Sequence, residues 1–309
     1  MLIYLLLTQF NNYFTGEFIN IFIGIFSYLI FRFFWKKYNL LFFLKISKLM
    51  IFITVVILTL DTIYRLLHPT APTLNDLNII NNSPNLWFYK YKFGTLLFAD
   101  SNTVALVSLI LFFYIKSLEN LKIVNKKYFK SCKKILFIVL ISTFSRAAII
   151  SFFIGLSYIY LKKINDKLIK ILIIFFIIIF FVFTAVLFSN FVKDGSLESK
   201  FFILYQFINI LPHLSVDQII FGIGLGKAED YLGIYTHIIY ITYLLEIGII
   251  GFLLFIFFII YYFYKYNDII LIPFLIVSFS YFLYLGTPFL FIPLALSANI
   301  IDCLYKLER

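Results

Sequence analysis

The chain is 309 residues long, 63% hydrophobic and only 13% charged, with a mean hydropathy of +1.00. A water-soluble domain of this length has no interior large enough to hide so much apolar surface, whereas lipid accepts it as solvent, so a soluble globular fold is excluded. The formal charge of +11 collects in short loops between apolar runs, which marks membrane orientation and not a nucleic-acid groove.

A helix needs roughly 17–25 apolar residues to cross a bilayer. The opening MLIYLLLTQF, residues 1–10, is apolar but lacks a basic leader and a small-residue cleavage site. It therefore reads as a short extra segment or an interfacial one, not as a cleavable signal peptide. Spans are predicted at 17–35, 46–66, 94–115, 170–190, 237–264, 268–285 and 288–304. Arg32, Lys36, Lys37, Lys45 and Lys48 mark the loop after the first of these as cytoplasmic, and seven lysines do the same for 116–134.

The apolar stretch 135–161 is too long for one comfortable span, and the stretch after it, LKKINDKLIK, is again basic. If both flanks are cytoplasmic, the segment must go in and come back. The preferred reading is a hairpin of two short helices turning near STFSR; the alternative is one tilted helix with a basic loop on the wrong side. With the hairpin, 67–93 and 191–236 face outward and the tail YKLER faces the cytoplasm. The expectation is a single all-α polytopic bundle over residues 1–309 with about nine or ten transmembrane segments and a large external loop between 191 and 236.

Charges beside or within a span are costly and face a cavity or a partner. Asp61 and Arg65, four apart on one helical face, read first as a structural ion pair, with Arg65 as a phosphate contact the sharper alternative. His68 before Pro69 reads as solvated. In FADSN, Asp100, Ser101 and Asn102 stand early in a span, where they either bond sugar hydroxyls or cap the helix. Ser145 and Arg146 fall at the hairpin turn among small residues; the guanidinium is suited to phosphate oxygens, against a snorkelling anchor as the plain reading.

The segment GSLESKFFILYQFINIL, with Lys200 near its start, reads as a helix lying on the membrane. It leads into FGIGLGKAED, where Gly222, Gly224 and Gly226 permit unusual dihedrals. The G-x-G-x-G spacing is not a dinucleotide fingerprint, since no strand precedes it. His237 opens the next span, and Glu246, nine positions on, would stand on the opposite side of an ideal helix. A hydrogen-bonding partner is expected for so deep a carboxylate. Gly248 and Gly251 form a small patch that admits a close helix. Cys132 and Cys303 lie far apart with no ligand spacing, so neither a disulfide framework nor a metal site is expected.

STFSRAAIISFFIGL, then FGIGLGKAED, then THIIYITYLLEIGIIGFLLFI, in this order, resemble the O-antigen polymerase (Wzy) and O-antigen ligase superfamily, with FADSN as a weaker early match. The resemblance covers mainly residues 94–265. It implies a GT-C-like glycosyltransferase of the bacterial inner membrane, working on the periplasmic side with undecaprenyl-diphosphate-linked oligosaccharides and without metal, nucleotide sugar or other cofactor. It carries a diphosphate-holding role to Arg146 and a catalytic role to His237. Family members have an arginine before the helix in the large loop, where this chain has Lys200. Lipids and the lipid-linked glycan are the partners implied, and assembly with a polysaccharide chain-length regulator is expected from the resemblance alone. The ligase, which moves finished polymer onto lipid A core, is the alternative within the superfamily. A lipid-linked glycan flippase is the alternative outside it, although no internal repeat is visible.

Overall fold

A computed structural model of the chain describes residues 1–9, 15–34, 37–70, 84–98, 100–124, 127, 129–164, 195–234, 236, 238–281 and 288–307. Among these the fold is all-helical. The helices are α1 (Leu2–Thr8), α2 (Gly16–Leu29, ending in a π turn Ile30–Phe34), α3 (Leu40–Leu67), α4 (Ser101–Asn120), α5 (Lys130–Ser142), α6 (Arg146–Lys163), α7 (Gly195–Ile210), α8 (Val216–Phe221), α9 (Ala228–Leu232), α10 (Ile239–Glu246), α11 (Gly248–Tyr266), α12 (Leu271–Val277) and α13 (Pro288–Leu307). Short 3-10 turns occupy Pro84–Tyr91 and Leu211–His213.

Five helices among the described residues are long and apolar enough to cross a membrane: α2 with its π turn, α3, α4, α11 and α13. The predicted spans at 17–35, 46–66 and 288–304 coincide with three of them. The span predicted at 94–115 starts later, at Ser101, because Asp100 caps the helix. The span predicted at 237–264 is not continuous: α10 ends at Glu246 and α11 restarts at Gly248 in a left-handed conformation (φ +65°). In place of a full helix over 268–285, only α12 is formed among the described residues. The run 170–190 lies outside the described residues. At seven residues, roughly 10 Å long, α1 is too short to span a bilayer.

The core forms around α4. All of its residues except Asn102, Lys116 and Asn120 are buried, as expected of a helix that is apolar on every side. Helix α13 packs on α2, α3 and α4, α5 packs on α3 and α4, and α6 packs on α4 and α12. Away from this core, Phe26, Phe52, Leu60, Leu253, Phe257 and Ile260 are exposed. A belt of large apolar side chains turned outward on spanning helices is a lipid-facing surface.

The stretch 135–161 forms the hairpin. Thr143, Phe144 and Ser145 separate α5 from α6, with Phe144 at φ +54°. The rings of Phe137 and Phe152 are 5.3 Å apart between centroids, whereas an unbroken helix would separate residues fifteen apart by about 22 Å. The far ends of both arms return to one place. Lys133 on α5 meets Glu119 at 2.5 Å, Lys116 meets the same carboxylate at 3.6 Å, and Lys163 at the end of α6 stands close enough to Lys116 to act on it electrostatically. The basic flanks therefore share one rim, and the parity conflict in the charge pattern disappears.

Arg32 closes the same rim. It donates to the Tyr266 hydroxyl at 2.6 Å, to Asp302 at 2.8 Å and to the Asn299 side-chain oxygen. The side-chain amide of Asn299 returns a hydrogen bond to the Phe31 carbonyl at 2.6 Å. One planar fork thus joins the ends of α2, α11 and α13.

Candidate functional site

The rim opposite the lysines carries the hairpin turn before α6 and the break between α10 and α11. A helix that stops leaves its last carbonyls without intrahelical donors. Here they are taken by chain that is remote in sequence. The amide of Ile223 donates to the Leu245 carbonyl at 2.8 Å and that of Gly224 to the Glu246 carbonyl at 3.1 Å, while the Tyr4 hydroxyl donates to the Ile247 carbonyl at 2.7 Å. The glycine stretch is therefore laid along the end of α10 as its cap.

The three glycines are required by that fit. Gly222, Gly224 and Gly226 have φ of +91°, +110° and +77°, where a side chain is strained. A Cβ on Gly222 would also overlap the Glu246 carbonyl and stand 2.7 Å from the Gly248 nitrogen. A Cβ on Gly248 would in turn stand 2.5 Å from the Gly222 nitrogen. G-x-G-x-G and E-x-G are two halves of one backbone contact. The preceding helix α8 begins with a capping box, in which Ser215 and Gln218 satisfy each other's backbone amides, and this fixes where the glycine stretch starts.

Glu246 is 1% exposed. Its Oε1 accepts from the Ala228 amide at 3.3 Å, the Gly226 amide also lies close enough to interact with it, and its Oε2 has no hydrogen-bond partner. The partner expected for this carboxylate is thus the backbone of the glycine turn and the start of α9. His237 lies outside the described residues. Its neighbours are fixed, however: the Thr242 hydroxyl donates to that of Thr236 at 2.7 Å, and the Ile239 amide donates to the Ser278 carbonyl at 3.1 Å. Helix α10 starts only at Ile239, so the ideal-helix angle between His237 and Glu246 does not apply.

Helix α7 covers the turn from the other side. Ile203, Phe207 and Ile210 pack with Ile223, Ala228, Leu232, Ile241 and Leu245 in a small core separate from the main one. Phe201, Tyr205 and Ile208 face outward, and Lys200 is half-buried near the start of the helix.

Ser145 is buried and is the N-cap residue of α6, and Arg146 is the first residue of that helix and half-buried. Helix α12 lies between α6 and α10. It packs on α6, and its far end meets α10 through Tyr240, whose hydroxyl donates to the Leu275 carbonyl at 2.8 Å and whose ring is 4.5 Å from that of Phe279.

Comparison with protein-family models, with curated proteins and with solved structures gave no match to this chain. Its residues carry the functional reading alone.

Two motif residues have structural duties. Asp61 and Arg65 do not form the direct ion pair suggested by their spacing, because each is turned toward backbone. Asp61 accepts from the amides of Leu96 and Leu97 at 2.7 and 3.0 Å. Arg65 donates to the carbonyls of Tyr91 and, at 2.9 Å, Ser142. Both side chains are fully buried, so Arg65 reaches the site through the hairpin turn that it holds, not as an open anion contact.

Of the two readings of FADSN, capping is the one formed. Asp100 accepts from the amide and the hydroxyl of Thr103, both at 2.9 Å, from Asn102 at 3.0 Å and from the Tyr281 hydroxyl at 3.1 Å. Asp100→Ala is expected to cost ~1 kcal/mol or more, measured by thermal unfolding in detergent, with Asp100→Asn retaining most of the stability. Equal losses in the two variants would contradict the capping role.

Sequence reasoning missed three residues. Tyr4, Gln9 and Glu17 come from the N-terminal segments and meet the glycine turn. Burial pushes the Tyr4 phenol up from its ordinary pKa. The Glu17 carboxylate lies 3.0 Å from where a Cβ on Gly226 would stand. A lone polar residue in an apolar segment gives no periodic signal, so only the contact reveals it. Among the described residues, no three His, Cys, Asp or Glu side chains stand together as metal ligands would.

Proposed function

We propose that the protein is a membrane glycosyltransferase that joins undecaprenyl-diphosphate-linked oligosaccharide repeat units, an O-antigen or surface-polysaccharide polymerase acting on the periplasmic side of the bacterial inner membrane. One observation carries most of this reading: FGIGLG and LLEIG, two of the three segments in the resemblance, are hydrogen-bonded into one unit. The third, STFSR, forms a turn at the end of the bundle away from the lysines, with Arg146 on its far side.

The reaction is an exchange at the anomeric carbon of the donor sugar. An acceptor hydroxyl attacks, the bond from that carbon to the phosphate oxygen breaks, and the lipid diphosphate leaves with the electron pair. In this reading Arg146 neutralises charge growing on the leaving diphosphate; a fixed cation at a low-dielectric boundary acts strongly on such charge. Neutral His237 takes the proton of the acceptor hydroxyl.

Purified protein in lipid nanodiscs is expected to elongate a synthetic undecaprenyl-diphosphate oligosaccharide, with Arg146→Ala and His237→Ala each lowering the rate by about a hundredfold or more at equal protein level. Wild-type protein that leaves the oligosaccharide unextended would overturn the reading. In cells, loss of a polymerase leaves a single repeat attached to the acceptor, whereas loss of a ligase leaves none attached.

A further inference from the structure

The N-terminal helix supplies a side chain that no motif contains and that bridges both halves of the glycine unit. Gln9 is 1% exposed although it sits at the end of a seven-residue apolar helix. Its side-chain oxygen accepts from the Leu225 amide at 2.8 Å, and its side-chain nitrogen donates to the Glu246 carbonyl at 3.4 Å. One primary amide, which offers an acceptor and a donor on a single rigid group, therefore joins the glycine turn to the end of α10. Tyr4, five residues earlier, joins the same two pieces again: its hydroxyl stands 2.7 Å from the Ile247 carbonyl and 3.3 Å from that of Phe221. A Cβ on Gly251 would stand 2.8 Å from the Tyr4 ring, so the absence of a side chain there lets the ring approach. Glu17 borders the turn at Gly226.

The geometry points to Gln9 as a positioning residue: the first nine residues latch the glycine turn onto the α10–α11 break, and in the sequence His237 follows eleven residues beyond Gly226. The latch rests on its own contacts. Its effect on turnover rests on the proposed glycosyl transfer. Four hydrogen-bonding contacts run from Tyr4 on α1 and from Gln9 at its C-cap to backbone on two other segments. An apolar helix that served only as lipid filler would need none of them. Because these bonds end on backbone groups, they govern where the turn lies and do not depend on the side chains of the turn.

The test uses the full chain in nanodiscs and reads two quantities. Gln9→Met keeps length and apolar packing and removes both hydrogen bonds; Gln9→Glu restores the acceptor for Leu225 alone. Amide hydrogen exchange over 221–227 is expected to rise about fivefold in Gln9→Met, the size of one net hydrogen bond, and by less in Gln9→Glu, while exchange in α4 stays at the wild-type level. With the synthetic lipid-linked oligosaccharide, turnover is expected to fall about tenfold at an unchanged KM, as displacement of a positioned reacting group does. Wild-type exchange over 221–227 in Gln9→Met overturns the latch whatever the activity. Faster exchange there with wild-type turnover and KM overturns the positioning role. Faster exchange in α4 as well shows general unfolding, and Gln9→Glu then decides: exchange over 221–227 between the wild-type and Gln9→Met rates upholds the latch, and exchange equal to Gln9→Met removes it. If wild-type protein does not elongate the oligosaccharide, the proposed function fails, while exchange alone still decides the latch.

Discussion

Gly222→Ala is expected to lower stability by about 4 kcal/mol or more and to abolish activity. The strain of a side chain at φ +91° contributes about 1–2 kcal/mol. Loss of the Ile223 and Gly224 bonds to the end of α10 adds about 1 kcal/mol each. The remainder comes from overlap with the Glu246 carbonyl and the Gly248 nitrogen, which are backbone atoms of a packed element and cannot turn aside as a side chain would. Two other glycines separate these causes. Gly233 has φ +68° with nothing within 4 Å of a new Cβ, and Gly16 stands in open space at the start of α2. Thermal unfolding in detergent should rank the alanine variants with Gly16 unchanged, Gly233 lowered by about 1 kcal/mol and Gly222 far below both. A Gly222→Ala protein that unfolds with Gly233→Ala would mean that the turn is not seated on the break.

The second large effect is expected at Arg65. Arg65→Met leaves the carbonyls of Tyr91 and Ser142 without their donor, and it removes the cation on which the buried Asp61 carboxylate acts. Losing two hydrogen bonds from a charged group costs about 3 kcal/mol or more. Arg65→Lys keeps the charge, but a single ammonium on a flexible stem does not reproduce a fork that serves two segments. If the uncompensated charge is a large part of the loss, Asp61→Asn combined with Arg65→Met will be more stable than Arg65→Met alone. A double-mutant cycle on unfolding midpoints measures this coupling. Additive losses would show that the two side chains act independently, and wild-type unfolding of Arg65→Met would remove the cross-link altogether.

Charge placement made the general organisation legible in sequence. Lysines at 116–134 and at 162–170 favoured a hairpin between them over one tilted helix, and the Phe137–Phe152 contact is that of a hairpin. The capping role of Asp100 was half-legible, since Asp followed by Thr three residues later fits a helix start as well as it fits a sugar site. The break at Ile247–Gly248 was not legible, because Glu-Ile-Gly-Ile-Ile-Gly continues an apolar run and nothing local marks a stop. The stop depends on donors from Ile223, Gly224 and Tyr4, which are 22 or more residues away. Gln9 was hidden for the same reason. The duties of Asp61 and Arg65 were misread because i,i+4 spacing describes what two side chains can reach on a bare helix and takes no account of backbone from a third segment.

The hairpin has a further consequence for the surrounding lipid. Helix α5 has 13 residues and α6 has 18, so the arms rise about 20 and 27 Å, against roughly 30 Å of hydrocarbon. An arm that falls short is accommodated by a locally thinner bilayer or by headgroups drawn inward, at a modest free-energy cost per ångström of mismatch. Arg146 at the tip favours the second response, since a guanidinium below the usual headgroup plane attracts phosphate and water to itself. Under the proposed glycosyl transfer, a leaflet thinned beside the turn would bring the donor's diphosphate toward the arginine.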